Sequence, residues 1–137
     1  MAHMIQRKEY LDSLISFKEK SLIKVVTGIR RCGKSTLLEL FQEYLLQTGV
    51  LPEQIIAYNL EAGEYADMKS YRELYDMVTE KLLPDRMNYI FLDEVQHIAD
   101  FQKAVDGLFI KKNCDVYITG SNAHLLSGEL ATLLSGR

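Results

Sequence analysis

Gly28-Ile29-Arg30-Arg31-Cys32-Gly33-Lys34-Ser35 follows the spacing G-x-x-x-x-G-K-[ST] of a phosphate loop. The apolar run Leu22-Ile23-Lys24-Val25-Val26 precedes it, and Thr36-Leu37-Leu38-Glu39-Leu40-Phe41 follows with helical spacing. A strand should therefore feed a glycine-containing turn that opens into a helix. Backbone amides of such a turn, and of the helix N-terminus, can surround phosphate oxygens. Gly28 and Gly33 permit backbone conformations closed to larger residues. Lys34 would reach the β- and γ-phosphates, and the Ser35 hydroxyl would ligate magnesium. Four specified positions coincide by chance in on the order of one window in 20,000. The flanking strand and helix patterns lower that further.

Outward from this motif, apolar runs alternate with helical periodicity. Residues 5–17 read as an amphipathic helix with Leu11, Leu14 and Ile15 on one stripe. A strand is predicted over 22–27 and a helix over 34–47, with Gly49 as its stop. A second strand spans 54–60. Ser70 and Glu73 have capping-box spacing ahead of a helix carrying Leu74, Met77, Val78 and Leu82. Tyr89-Ile90-Phe91-Leu92 is a third strand, apolar enough to be covered on both faces. A helix over 100–111, a strand over 115–119 and a short helix over 128–134 complete the pattern. Strands alternating with helices predict a three-layer α/β domain with a mainly parallel sheet.

Two strand ends carry further chemistry. Catalysis at parallel sheets gathers at the carboxyl ends of strands. Asp93 and Glu94 close the third strand. Asp93 would help hold magnesium, directly or through water, and Glu94 would orient and activate the attacking water. The fourth strand runs into Gly120-Ser121-Asn122. Ser121 or Asn122 could bond the γ-phosphate or the water and so distinguish triphosphate from diphosphate. A turn in which these residues merely suit the backbone is the alternative.

The chain has 137 residues, 47% hydrophobic and 26% charged, with a net charge of −3. That supports one domain with a real core and gives no global sign of a nucleic-acid surface. Cys32 and Cys114 form no metal or redox pattern and read as free thiols of a reducing compartment. No apolar stretch reaches a membrane span and no signal peptide is visible, so a cytoplasmic location without membrane contact is expected. Residues 1–4 read as a tag remnant or loose start ahead of Met4, and His3 is given no role. The chain ends on Leu133-Leu134-Ser135-Gly136-Arg137 without a polar linker, which reads as a truncation.

Taken together, Gly28 through Thr36, Tyr89 through Gln96 and Ile118 through Ala123, continued by Leu133 through Arg137, resemble the AAA-type P-loop ATPases. The closer likeness is to a bacterial and archaeal family of these carrying a C-terminal domain of unknown function. The resemblance runs from near Ile5 to the end. It implies that residues 1–137 are a truncated AAA-type ATPase domain that binds ATP and Mg2+. Nucleotide contacts would come from Gly28, Ile29, Arg30, Arg31, Cys32, Gly33, Lys34, Ser35 and Thr36. Metal contacts would come from Ser35 and Asp93, and catalytic roles would fall to Lys34, Glu94, Ser121 and Asn122. The resemblance further implies a missing fifth core strand and a missing C-terminal region as the natural partner. The strand at 22–27 would then lie at an open edge, inviting pairing with another chain.

Weaker assignments surround these. By resemblance, Arg137 stands where an arginine can reach a neighbour's nucleotide, and Ile5 or Tyr10 could touch adenine. Arg30 and Arg31 occupy the variable part of the loop, where one can steer nucleotide and the other stay in solvent. His97 and His124 read as surface histidines, and Glu61 as a solvated carboxylate or a water holder at the cleft. The leading expectation is magnesium-dependent ATP hydrolysis driving conformational change in the full-length protein, with little turnover in the isolated chain. The alternatives are a nucleotide-controlled interaction module and a small-molecule kinase. The residues name no nucleic-acid or protein partner and leave a homo-oligomer open.

Overall fold

In the computed structural model, residues 11–19, 23–26, 34–61, 63, 68, 70–120 and 132–133 are described; at 34, 35, 132 and 133 this covers the backbone. Helix α1 covers residues 11–16. Strand β1 (Lys24–Val26) is followed by α2 (Lys34–Gln47), β2 (Ile55–Asn59), α3 (Tyr71–Thr79), β3 (Asn88–Asp93), α4 (Phe101–Phe109), β4 (Cys114–Thr119) and β5 (Thr132–Leu133). The sheet order is β2-β3-β4-β1-β5, and every pairing is parallel.

Side chains alternate across the pleat, and that alternation sorts the core into two halves. Ile90 and Leu92 of β3, with Val116 and Ile118 of β4, pack beneath α3 and α4 with Leu74, Val78, Ala104 and Leu108. Tyr89, Phe91 and Tyr117 face the other way, against Leu37, Leu38, Phe41 and Leu45 of α2 and Leu14 of α1. The rings of Phe91 and Tyr117 stack at 4.9 Å between centroids, and Phe41 tilts onto Tyr117 at 5.0 Å. All six residues of β3 are therefore buried, the apolar run Tyr89–Leu92 together with Asn88 and Asp93 at its ends. Three layers result, as expected from the alternating pattern.

Local signals act as their chemistry requires. Glu73 donates its N–H to Ser70 Oγ at 3.4 Å, and Ser70 returns its own N–H to Glu73 Oε1 at 3.3 Å. This reciprocal cap starts α3. Helices α3 and α4 touch closely at Gly107, where an added Cβ would lie 2.9 Å from Tyr75 Cε1. At the first position of β3, buried Asn88 accepts from Leu83 N–H at 2.9 Å and donates to the carbonyls of Leu83 and Asn113.

One expectation is corrected at the sheet edge. Thr132 and Leu133, read as helix from their spacing, form a short strand beside Lys24 and Val25. An exposed strand edge offers unpaired amides and carbonyls, and pairing there outweighs a short helical pattern. The four-stranded parallel core stands as expected, but the edge of β1 is not bare over those residues. The reason given for pairing with a second chain lapses there.

The amino end of the same sheet face carries charge. Lys24 is fully buried and its Nζ bonds Asp115 Oδ1. Asp115 Oδ2 accepts from the Tyr117 hydroxyl at 2.7 Å and from the Glu19 N–H at 2.8 Å. Tyr89 donates to Glu19, which holds the Glu19 carboxyl below the usual range. Burial first, then the Asp115 charge, pushes the Tyr117 hydroxyl up. Removing one member of a buried pair costs more than the pair contributes, because the survivor is left without its counter-charge. Lys24→Met should therefore lower stability by about 3 kcal/mol, softened by the two other donors to Asp115. Urea unfolding of the variant checks this, and a loss below about 1 kcal/mol would contradict it.

Candidate functional site

Strand parity places the polar residues. On β3, Asp93 shares its face with Tyr89 and Phe91; on β4, Thr119 shares its face with Tyr117. That is the α2 face. The register pairs Val26 with Thr119 and Asn59 with Asp93. Asn59, Asp93 and Thr119 thus stand at the carboxyl edge of adjacent strands, on the side occupied by α2. Lys34 opens that helix. A cavity of about 200 Å³ lies between α2 and the sheet here, bounded by Leu38, Gln42, Ala57, Asn59, Phe91 and Asp93.

Thr119 ties two strands together. It is fully buried. Its hydroxyl donates to Asp93 Oδ1 and accepts the backbone N–H of Glu94 at 2.9 Å. One hydroxyl therefore fixes a carboxylate on β3 and the start of the chain's exit from β3. Glu94 sits in the left-handed region, at φ 59° and ψ 53°. Holding a residue with a side chain there costs of order 1–3 kcal/mol. Burial on both sides enforces it: Leu92 and Val95 are both fully buried beneath α3 and α4. The chain must turn between them, and Glu94 is the turning residue. A 3-10 turn at Val95–His97 follows. It brings Gln96 back, so that Gln96 Nε2 donates to Glu94 Oε1 at 2.7 Å.

The remaining sequence-predicted residues fall as follows. Lys34 and Ser35 lie in the first turn of α2, and Thr36 beside them is half-buried. Gly28, Ile29, Arg30, Arg31, Cys32 and Gly33 lie outside the described residues, as do Ser121, Asn122, His124, Arg137, Ile5 and Tyr10. His97 is exposed, as a surface histidine should be. Glu61 is exposed beyond the end of β2, its N–H donating to Asn59 Oδ1 at 3.0 Å. Strand β2 ends at Asn59, one residue short of the expected 54–60. Sequence reasoning missed Thr119 and gave Gln96 no role. Thr119 carried a usable signal, since its parity matches Asp93 at the same end of a neighbouring strand.

Magnesium prefers hard oxygen ligands and keeps several waters, so one or two carboxylates plus substrate phosphates suffice. Asp93 supplies such an oxygen donor at the carboxyl edge. Among the described residues no three His, Cys, Asp or Glu side chains gather to hold a metal.

The family model described as "AAA domain" matches residues 20–137. The chain belongs to the AAA domain family. An uncharacterised protein of Haemophilus influenzae is 46% identical over 135 residues, spanning 98% of this chain and 34% of the relative. An uncharacterised protein of Methanocaldococcus jannaschii is 30% identical over 115 residues, spanning 84% of this chain and 24% of the relative. The chain thus covers about a third or less of the length of these relatives. Among solved structures, a chain of Drosophila ORC bound to DNA superposes with a TM-score of 0.60 at 16% identity. That match covers 93% of this chain and 84% of the other. A chain of C. elegans PCH-2 gives 0.55 at 15% identity, covering 92% and 40%. These two likenesses concern the fold. AAA proteins as a family bind and hydrolyse ATP. Among the described residues no helix is long and apolar enough to cross a membrane.

The Thr119 bridge is testable without nucleotide. Thr119→Val keeps the shape but removes the hydroxyl that bonds Asp93 Oδ1 and the Glu94 N–H. It should cost about 1–3 kcal/mol, whereas Thr119→Ser should retain most of the stability. Denaturant midpoints of both variants check the ordering, and equal losses would contradict the hydroxyl's role.

Proposed function

We propose that this chain is the nucleotide-binding domain, residues 1–137, of a magnesium-dependent ATPase whose turnover drives conformational change in the full-length protein. The observation that carries the reading is the linked group Asp93–Thr119–Glu94–Gln96 at the carboxyl edge, on the sheet side where the phosphate-loop sequence opens α2. A loop over Gly28–Gly33 would offer its N–H groups to the phosphates. Lys34 would neutralise the β/γ-phosphate charge, and Ser35 with Asp93 would hold Mg2+, which polarises the phosphoryl oxygens when bound. Glu94 would take a proton from water as its oxygen bonds the γ-phosphorus and the bond to the β-bridging oxygen breaks, leaving ADP and phosphate. Ser121 or Asn122, following β4, would register whether the γ-phosphate is present.

The larger relatives favour coupling to a region beyond this domain. Any nucleic-acid or protein partner, any homo-oligomer and any arginine reaching across from Arg137 belong to that coupling. A nucleotide-controlled interaction module shares the same binding residues and differs only in turnover. Calorimetric titration and phosphate release on the full-length protein separate the two. Lys34→Ala should weaken ATP binding at least about tenfold by removing a charge from the phosphates. Glu94→Gln should keep ATP binding and slow turnover by about 10²–10⁴-fold. Asp93→Asn should weaken the magnesium-dependent part of binding. Unchanged ATP affinity in Lys34→Ala would remove the role given to Lys34. Wild-type turnover in Glu94→Gln would remove the general base.

A further inference from the structure

The Gln96 amide makes one bond and forgoes another. Its Nε2 donates to Glu94 Oε1 at 2.7 Å, while its Oε1 is buried with no hydrogen-bond partner among the described residues. The reverse orientation of the amide would set its oxygen against the carboxylate, so the bond to Glu94 decides which way it points. A buried amide oxygen left unpaired is destabilising, and native structures seldom tolerate one without a reason. An apolar side chain of the same length would fill this position at no such cost. The polar residue is therefore explained by its N–H, and that N–H has one recipient. The backbone of Glu94 is pinned in the left-handed region by Thr119 and by the burial of Val95. The Gln96 bond acts on the carboxylate itself. The 3-10 turn at Val95–His97 returns Gln96 to do so.

We propose that Gln96 is the positioning residue of Glu94, aiming its carboxylate at the attacking water; the proposal rests on Glu94 acting as the base of ATP hydrolysis. A base displaced from its water loses rate without losing substrate affinity. In the full-length protein, Gln96→Met should lower kcat about 10- to 100-fold. KM for ATP should stay within about twofold, since the lost interaction serves only the reacting state. Its melting temperature should stay close to the wild type, because the unpaired oxygen and the bond to Glu94 are lost together. A side chain that serves only the fold would show the opposite: a lower melting temperature with kcat near wild type. Either a kcat within twofold of wild type or a fall in melting temperature accompanied by a matching rise in KM would overturn the proposal.

A second measurement needs neither turnover nor a foldable variant at position 96. In the nucleotide-free protein, the Gln96 side-chain amide resonances should lie away from those of solvated glutamines and should return toward them in Glu94→Ala. Resonances indifferent to Glu94→Ala would overturn the proposal even if hydrolysis is confirmed. If the wild type fails to hydrolyse ATP while those resonances respond to Glu94→Ala, the assigned base is lost and the Gln96–Glu94 bond stands. The two failures are thus told apart.

Discussion

Burial of the central strands on both faces is the constraint from which the rest follows. With α1 and α2 on one side and α3 and α4 on the other, a polar side chain within β3 or β4 has no water to turn to. It must sit at a strand end or bring its partner with it. Both solutions occur on the α2 face, and they occur at opposite ends. At the amino end Lys24 and Asp115 form a matched pair, closed over by Tyr117 and the Glu19 N–H. At the carboxyl end a carboxylate meets a neutral hydroxyl, Asp93 with Thr119. The same sheet face therefore carries polar bonds at both ends, an ion pair at one and a hydroxyl–carboxylate contact at the other.

That division explains which parts were legible in the residues alone. Helix α2 was expected over 34–47 and occurs as Lys34–Gln47, because apolar periodicity, a glycine-containing entry and Gly49 at the exit all agree. The Ser70–Glu73 cap and the unbroken apolar β3 were equally readable, since each is a local pattern with a local cause. The roles of Asp93 and Glu94 were suggested by their place at the end of such a strand. Thr132 and Leu133 were misread, since their strand exists only through a neighbour distant in sequence. Edge pairing is a tertiary demand that periodicity does not report.

The less visible half of the site has the same character. Thr119 and Gln96 are ordinary residues in their local contexts, and each gains meaning only from what it touches. Thr119 needs β4 laid beside β3 before its hydroxyl can meet both Asp93 and the Glu94 N–H. Gln96 needs the chain to leave β3 through a left-handed residue before its amide can fold back. The Lys24–Asp115 pair likewise joins residues distant in the chain. Parity was the one route to such contacts from sequence, and it would have found Thr119.

Strain at Glu94 is the point where packing and chemistry meet. A chain leaving β3 in extended form would carry Val95 away from the apolar layer under α3 and α4. The left-handed turn lets Val95 and Ile98 return to it, both nearly or fully buried. Two buried aliphatic side chains contribute roughly 1.5–3 kcal/mol each, which is enough to offset the 1–3 kcal/mol or so of an unfavourable backbone well. Glycine would enter that well at lower cost, but it has no carboxylate. A glutamate there shows that the turn is held by its neighbours. The exit from β3 is thus shaped by apolar residues packed beneath α3 and α4, while the Gln96 amide bonds the carboxylate carried on that turn.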